Sequence, residues 1–64
     1  MKLLDELEKR FEIPNDRQLA SKLGLSTPVI SRIRTGKSGV SAEVMIRIHE
    51  VLGLPIAEIK ELSA

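Results

Sequence analysis

Apolar residues recur at helical spacing along most of this chain, and the gaps between those stretches carry Gly, Pro, Asn and Ser. In "KLLDELEKRFE", residues 2–12, Leu3, Leu4, Leu7 and Phe11 share one face and the charges take the others. That pattern predicts a first amphipathic helix, stopped by Pro14. Asn15 predicts an N-cap, with Gln18 three residues on where it can reach back to the cap's N–H. Leu19, Ala20 and Leu23 form the next apolar face and Gly24 suits a helix-ending left-handed residue, so a second helix is expected from Asp16 to Leu23.

The stretch "LGLSTPVISRIRTGKSG", Leu23 to Gly39, is ambiguous by composition but not by periodicity. Val29, Ile30 and Ile33 repeat at helical spacing until Thr35 and Gly36. A proline in a first turn removes only an N–H that would be unpaired, and Ser26 or Thr27 can supply a capping hydroxyl. A third helix is predicted from Pro28 to Arg34. Pro28 disfavours helical geometry at Thr27, which would delay the helix by one residue. "TGKSGVS" is a loop, Ser41 caps a fourth helix that turns Val44, Met45, Ile48, Val51 and Leu52 inward, and Gly53 ends it. Ile56, Ile59 and Leu62 make a short last helix. With no linker, repeat or low-complexity segment, the chain reads as one all-α domain over residues 1–64.

Composition narrows this further. Sixty-four residues lie near the size at which one core still holds a chain without cross-links. The absence of Cys removes disulfides and thiolate metal sites, and a lone His49 makes no metal cluster. No metal and no cofactor are expected, and Leu, Ile and Val must supply the core, with Phe11 the single aromatic. No apolar run approaches the roughly 18 residues of a membrane span. "MKLLDELEKR" meets Asp5 too early for a secretory signal, so a cytoplasmic protein without a membrane partner is expected. Catalysis finds no Gly-rich phosphate loop, paired-carboxylate site or partner for His49, and so small a domain has no walls to enclose a small-molecule ligand.

The net charge of +1 conceals a division. Between Asn15 and Ser41 stand Arg17, Lys22, Arg32, Arg34 and Lys37 against Asp16 alone, while the flanks carry eight acids against five bases. Such a dipolar layout orients a molecule toward a polyanion. Two short helices joined by a tight Gly-containing turn, with Arg on the outer side of the second, describe a helix-turn-helix over about residues 16–35. Ala20 is small where a second helix crosses closely, Leu25 plugs the turn, and Ile30 and Ile33 anchor the second helix from below. Thr27, Pro28, Ser31 and Arg32 remain for the outer face.

"LASKLGLSTPVISRIRTGK" resembles the helix-turn-helix of phage Cro and repressor proteins, the XRE family, at Leu19, Ala20, Gly24, Leu25, Ser26, Ile30, Ser31, Ile33 and Gly36. The resemblance implies a compact five-helix lambda-repressor-like domain of a bacterium or phage that binds double-stranded DNA, a repressor by default. Carried over by position, it implies base contacts in the major groove from Thr27, Pro28, Ser31 and Arg32. It implies phosphate contacts from Asn15, Arg17, Gln18, Thr35, Lys37 and Ser38, extending to the helix start at Ser41. Arg32 is the best base reader, because its planar fork can bond guanine O6 and N7 together. A homodimer is implied as well, since one recognition helix covers a half-site; Ile46, Ile56 and Ile59 are the candidate interface. A protein-binding module of the same fold, such as an antitoxin or adapter, is the alternative.

The sequence departs from the family in three places. Asp16 replaces the usual Gln at the start of helix two, where it would repel phosphate unless it orients Arg17 or Arg32. Arg34 replaces a common Glu, and Glu8 or Glu12 of helix one could form a charge-reversed pair with it. Pro28 stands where a hydrogen-bonding reader is usual. His49 and Met45 are expected to be structural, and Lys22 a solvated charge.

Overall fold

In the computed structural model, which describes residues 2–63, the helices are α1 (Leu3–Arg10), α2 (Asp16–Leu23), α3 (Thr27–Arg34), α4 (Ala42–Leu52) and α5 (Ile56–Ser63). Among the described residues there is no strand. α2 packs chiefly on α3 and α4 on α5, while α1 bridges α2 and α5 and α4 returns to α2. The core at their meeting point is aliphatic: Leu3, Leu7, Leu19, Leu23, Ile30, Ile48 and Ile59 are fully buried, and among the described residues no polar side chain joins them. At about 25 cal/mol per Å² of apolar surface removed from water, such a core is the main force available to a chain without cross-links.

The helix ends explain much of the path. α1 stops at Arg10, ahead of Pro14, because Glu12 turns left-handed at φ 55. Its N–H and that of Ile13 then bond back to the carbonyls of Lys9 and Glu8, at 3.4 and 2.8 Å. This double closure is the Schellman pattern, with Glu in the position that normally favours Gly. Asn15 caps α2 as expected, its Oδ1 accepting the Gln18 N–H at 2.9 Å. The reciprocal bond expected from the Gln18 side chain does not form among the described residues. Ser41 likewise caps α4, accepting the Val44 N–H at 3.3 Å.

Two expectations about packing are corrected. Val51, expected inside, is 45% exposed; beyond Gly53 the chain reverses and Leu54, 7% exposed, fills the core instead. His49 reaches the same turn, its Nδ1 donating to the Leu54 carbonyl at 2.6 Å. Ile59, expected on an intermolecular face, is fully enclosed by its own domain, because it points from α5 into the core where α1 and α4 meet it. Ile46, at 50% exposure, and the partly buried Ile56 are the members of that trio with surface to offer.

Candidate nucleic-acid interface

The turn between α2 and α3 is built from both ends. Gly24 takes φ 70, and the N–H groups of Gly24 and Leu25 return to Ser21 and Ala20 at 3.2 and 2.8 Å. From α4, Arg47 Nη1 donates to the carbonyls of Leu23 and Gly24, at 3.3 and 3.2 Å. Gly24 is favoured by its dihedral angle, and a Cβ there would lie 2.6 Å from that Nη1, so a larger residue would also push the end of the Arg47 side chain off the turn. Arg47 is a functional support that sequence reasoning missed. Its targets are backbone carbonyls more than twenty residues away, which leave no trace in local patterning.

α3 begins at Thr27, one residue earlier than Pro28 was expected to allow. Ser26 is extended at ψ 152 and its carbonyl accepts from both Val29 and Ile30, a tight first turn that admits Pro28 at the second helical position. No hydroxyl caps this end, so Ser26 and Thr27 do not play the capping part expected of them. Ile30 and Ile33 are buried beneath, and Thr27, Pro28, Ser31 and Arg32 are all exposed on the opposite side. Arg32 Nε donates to the Pro28 carbonyl one turn back at 3.3 Å, drawing the side chain along the helix toward its N-terminal half. The terminal nitrogens of that guanidinium bond no protein group among the described residues.

The flanking polar residues, Asn15, Arg17, Gln18, Thr35, Lys37 and Ser38, are likewise exposed. Several are partly committed. Asn15 spends its oxygen on the cap and keeps its amide NH₂, and Thr35 Oγ1 donates to the Ser31 carbonyl at 3.0 Å. The backbone N–H groups of Lys37 and Ser38 both return to Arg32, at 2.9 and 3.2 Å, so beyond α3 only side chains of those two residues are free to donate. Arg17, Lys22, Arg32 and Lys37 form no ion pair among the described residues, whereas Arg10 pairs with Glu6 and Glu58. Lys2, Lys9, Arg47 and Lys60 form no ion pair among the described residues either, but they share the rest of the chain with eight acids, so the net positive charge lies on the helix-turn-helix.

Arg34 is the exception in that segment. Its Nε and Nη2 grip both oxygens of Asp16, at 2.6 and 2.8 Å, Nη1 reaches Asp5 at 2.7 Å, and Nη2 reaches Glu8 at 3.3 Å. The charge-reversed pair with helix one is thus real for Glu8 but not for Glu12, and it extends to two aspartates. Asp16 orients neither Arg17 nor Arg32. Its negative charge is instead held by Arg34, whose hydrogen bonds keep the Asp16 carboxyl below its ordinary range. The same contacts with Asp16 and then Asp5 raise the Arg34 guanidinium still further. Glu8 goes the other way: burial, then the hydrogen bond and charge of Asp16, push its carboxyl up to about 7 against the opposing pull of Arg34.

Among the described residues no helix is long and apolar enough to cross a membrane, and no group of His, Asp and Glu has the arrangement of a metal site. Comparison with curated proteins gives no match, and neither does comparison with solved structures. The family described as Helix-turn-helix matches residues 15–59, from the cap of α2 through Ile59 of α5. With five helices, an exposed basic second motif helix and a match over more than half of its length, the chain belongs to the Cro/XRE-type helix-turn-helix family of DNA-binding transcriptional regulators.

Proposed function

We propose that this protein is a sequence-specific repressor that reads the major groove of double-stranded DNA with α3. The observation that carries the reading is the outer face of α3: Arg32 stands exposed and, among the described residues, without a carboxylate partner beside Thr27, Pro28 and Ser31, while Ile30 and Ile33 fix the helix from below. Arg32 is the guanine reader, with about 1–3 kcal/mol of discrimination available to a bidentate contact. Thr27 and Ser31 offer hydroxyls. Pro28 offers only apolar surface, suited to a thymine methyl. Asn15, Arg17 and Gln18 at one end, and Thr35, Lys37 and Ser38 at the other, hold the two phosphate strands that border the groove, setting register rather than sequence.

Two copies acting through two-fold symmetry would cover both half-sites, with Ile46 and Ile56 as the apolar contacts between them. Repression needs only occupancy of a promoter, which a chain of this size can supply, and its place of action is the cytoplasm, with the DNA.

Arg32→Ala and Lys37→Ala test the reading in a binding-site selection followed by anisotropy titrations over a salt series. Arg32→Ala relaxes preference at one base pair per half-site; Lys37→Ala weakens every sequence alike and lowers the salt slope by about one. Uniform weakening by both variants would remove Arg32 as a reader. Failure of the unaltered protein to bind a generic duplex at low salt would remove the DNA reading itself.

A further inference from the structure

Three carboxylates converge on one guanidinium where α1, α2 and α3 meet, so the cluster of Asp5, Glu8, Asp16 and Arg34 carries an excess of negative charge when every acid is ionised. The charges facing Glu8 come from each neighbouring element. Its own helix places Asp5 one turn before it, and Glu12 lies beyond the end of that helix in the left-handed turn; α2 supplies Asp16 and α3 supplies Arg34. α5 also packs on α1, but its Glu58 is engaged with Arg10 and its Lys60 and Glu61 are exposed.

Of the three acids, Glu8 has the least solvent, 17% against 28% for Asp16 and 73% for Asp5, and the longest bond to Arg34. Asp16 has two short bonds to the guanidinium and keeps its charge. Glu8 is accordingly the member that takes up a proton most readily, its carboxyl being pushed up to about 7 by burial and by Asp16. The position matters because Asp16 is the first residue of α2, lying between Asn15 and Arg17, at the end of the helix where a DNA phosphate is placed in the reading above. A phosphate docked there adds negative charge next to a cluster already in excess.

We propose that DNA binding is proton-linked through Glu8: a backbone phosphate at the start of α2 and an ionised Glu8 oppose each other, so binding draws a proton onto Glu8 and acidification tightens binding. This rests on the DNA-binding reading of the preceding subsection. Linkage is reciprocal, so the factor by which the proton strengthens DNA binding equals the factor by which DNA strengthens proton binding. For like charges roughly 10 Å apart at a partly screened surface, that factor is about threefold.

The test is anisotropy of a labelled generic duplex at constant low salt, from about pH 6 to about pH 8.5, with the wild type and Glu8→Gln, both checked for folding by circular dichroism. The wild type weakens about threefold across the range, and Glu8→Gln holds the affinity of the protonated wild type with most of the slope gone. His49 is common to both proteins and cancels in the comparison. The carboxyl carbon resonance of Glu8, followed by NMR, has its midpoint moved upward by about half a pH unit on saturation with duplex. An unchanged midpoint, or the same slope in both proteins, overturns the linkage while leaving DNA binding intact. Absence of binding by either protein at every pH overturns the DNA reading and the linkage with it. Should Glu8→Gln fail to fold, the midpoint shift in the wild type decides alone.

Discussion

Replacing Arg34 by Gln removes the one positive charge in a cluster of three acids while keeping a polar, uncharged side chain two bonds shorter. The contact with Asp5 contributes little, because that carboxylate is 73% exposed. The fork on Asp16 contributes more: two charge-assisted bonds of 2.6 and 2.8 Å, discounted for an arginine 36% exposed, give about 1 kcal/mol. Leaving Glu8 beside Asp16 with no intervening cation adds roughly another 1 kcal/mol of repulsion at neutral pH. A total near 2 kcal/mol is large against the roughly 3–10 kcal/mol expected for a domain of this length, and lowers Tm by about 10 °C.

The deficit also depends on pH. Asp16, held below its ordinary value of 3.8 by Arg34, contributes stability that is present above that value and lost as pH falls through the folded one. Glu8, raised, sheds its repulsion on protonation. Both effects shrink the difference between wild type and variant on acidification. Thermal melts followed by far-ultraviolet circular dichroism at about pH 7 and about pH 4 would show a gap that shrinks by roughly half, because Glu8 is protonated at the lower value while most of the Asp16 contribution persists. A Tm lowered by less than about 3 °C at neutral pH, or an equal gap at both values, would refute the assignment of Arg34 as the cation that holds the three helices together.

Glu8→Gln should stabilise at high pH. The folded wild type binds more protons than the unfolded chain between 4.5 and about 7, so its stability falls across that window. The ceiling is about 3 kcal/mol, reduced to roughly 1–2 by residual solvent; urea midpoints at about pH 8 and pH 5 should show a gain at the first and little change at the second. Glu12→Gly should raise stability by about 0.5–1 kcal/mol, because it relieves a left-handed residue at φ 55, and a fall in Tm would contradict the strain argument. Asn15→Ala loses the cap on α2 and about 1 kcal/mol, with amide exchange accelerating first at Gln18.

The helices and most of the core were legible because both follow from spacing. Leu19, Ala20, Leu23, Ile30 and Ile33 lie inside as their periodicity requires, and Gly24 turns where it must. The misreadings arise where partners are remote. Asp16 meets Arg34 across eighteen positions, and Arg47 reaches the turn from α4; neither separation has a periodic signature. Proline misled in a different way. Its neighbour's backbone preference governs an isolated dipeptide, but at Thr27 the packing of Ile30 and Ile33 and the double acceptance by the Ser26 carbonyl outweigh it. Ile59 and Val51 exchanged their expected exposure because a helix of two or three turns has few residues to define its face, and a loop residue such as Leu54 can displace one of them.

The opposed faces of α3 separate two demands that often compete. The side chains that anchor it point inward, and among the described residues those turned outward make no bond to any other helix: Arg32 bonds only within α3, and the Thr27 and Ser31 hydroxyls bond nothing elsewhere. Arg34, at the far end, carries the polar tie. Substitutions at positions 27, 28, 31 and 32 can therefore accumulate with little cost to folding, up to the limits of helix propensity. For a domain with so small a reserve of stability, that separation is what makes new specificities reachable by single substitutions: the surface that meets the ligand can drift while the scaffold beneath it stays fixed.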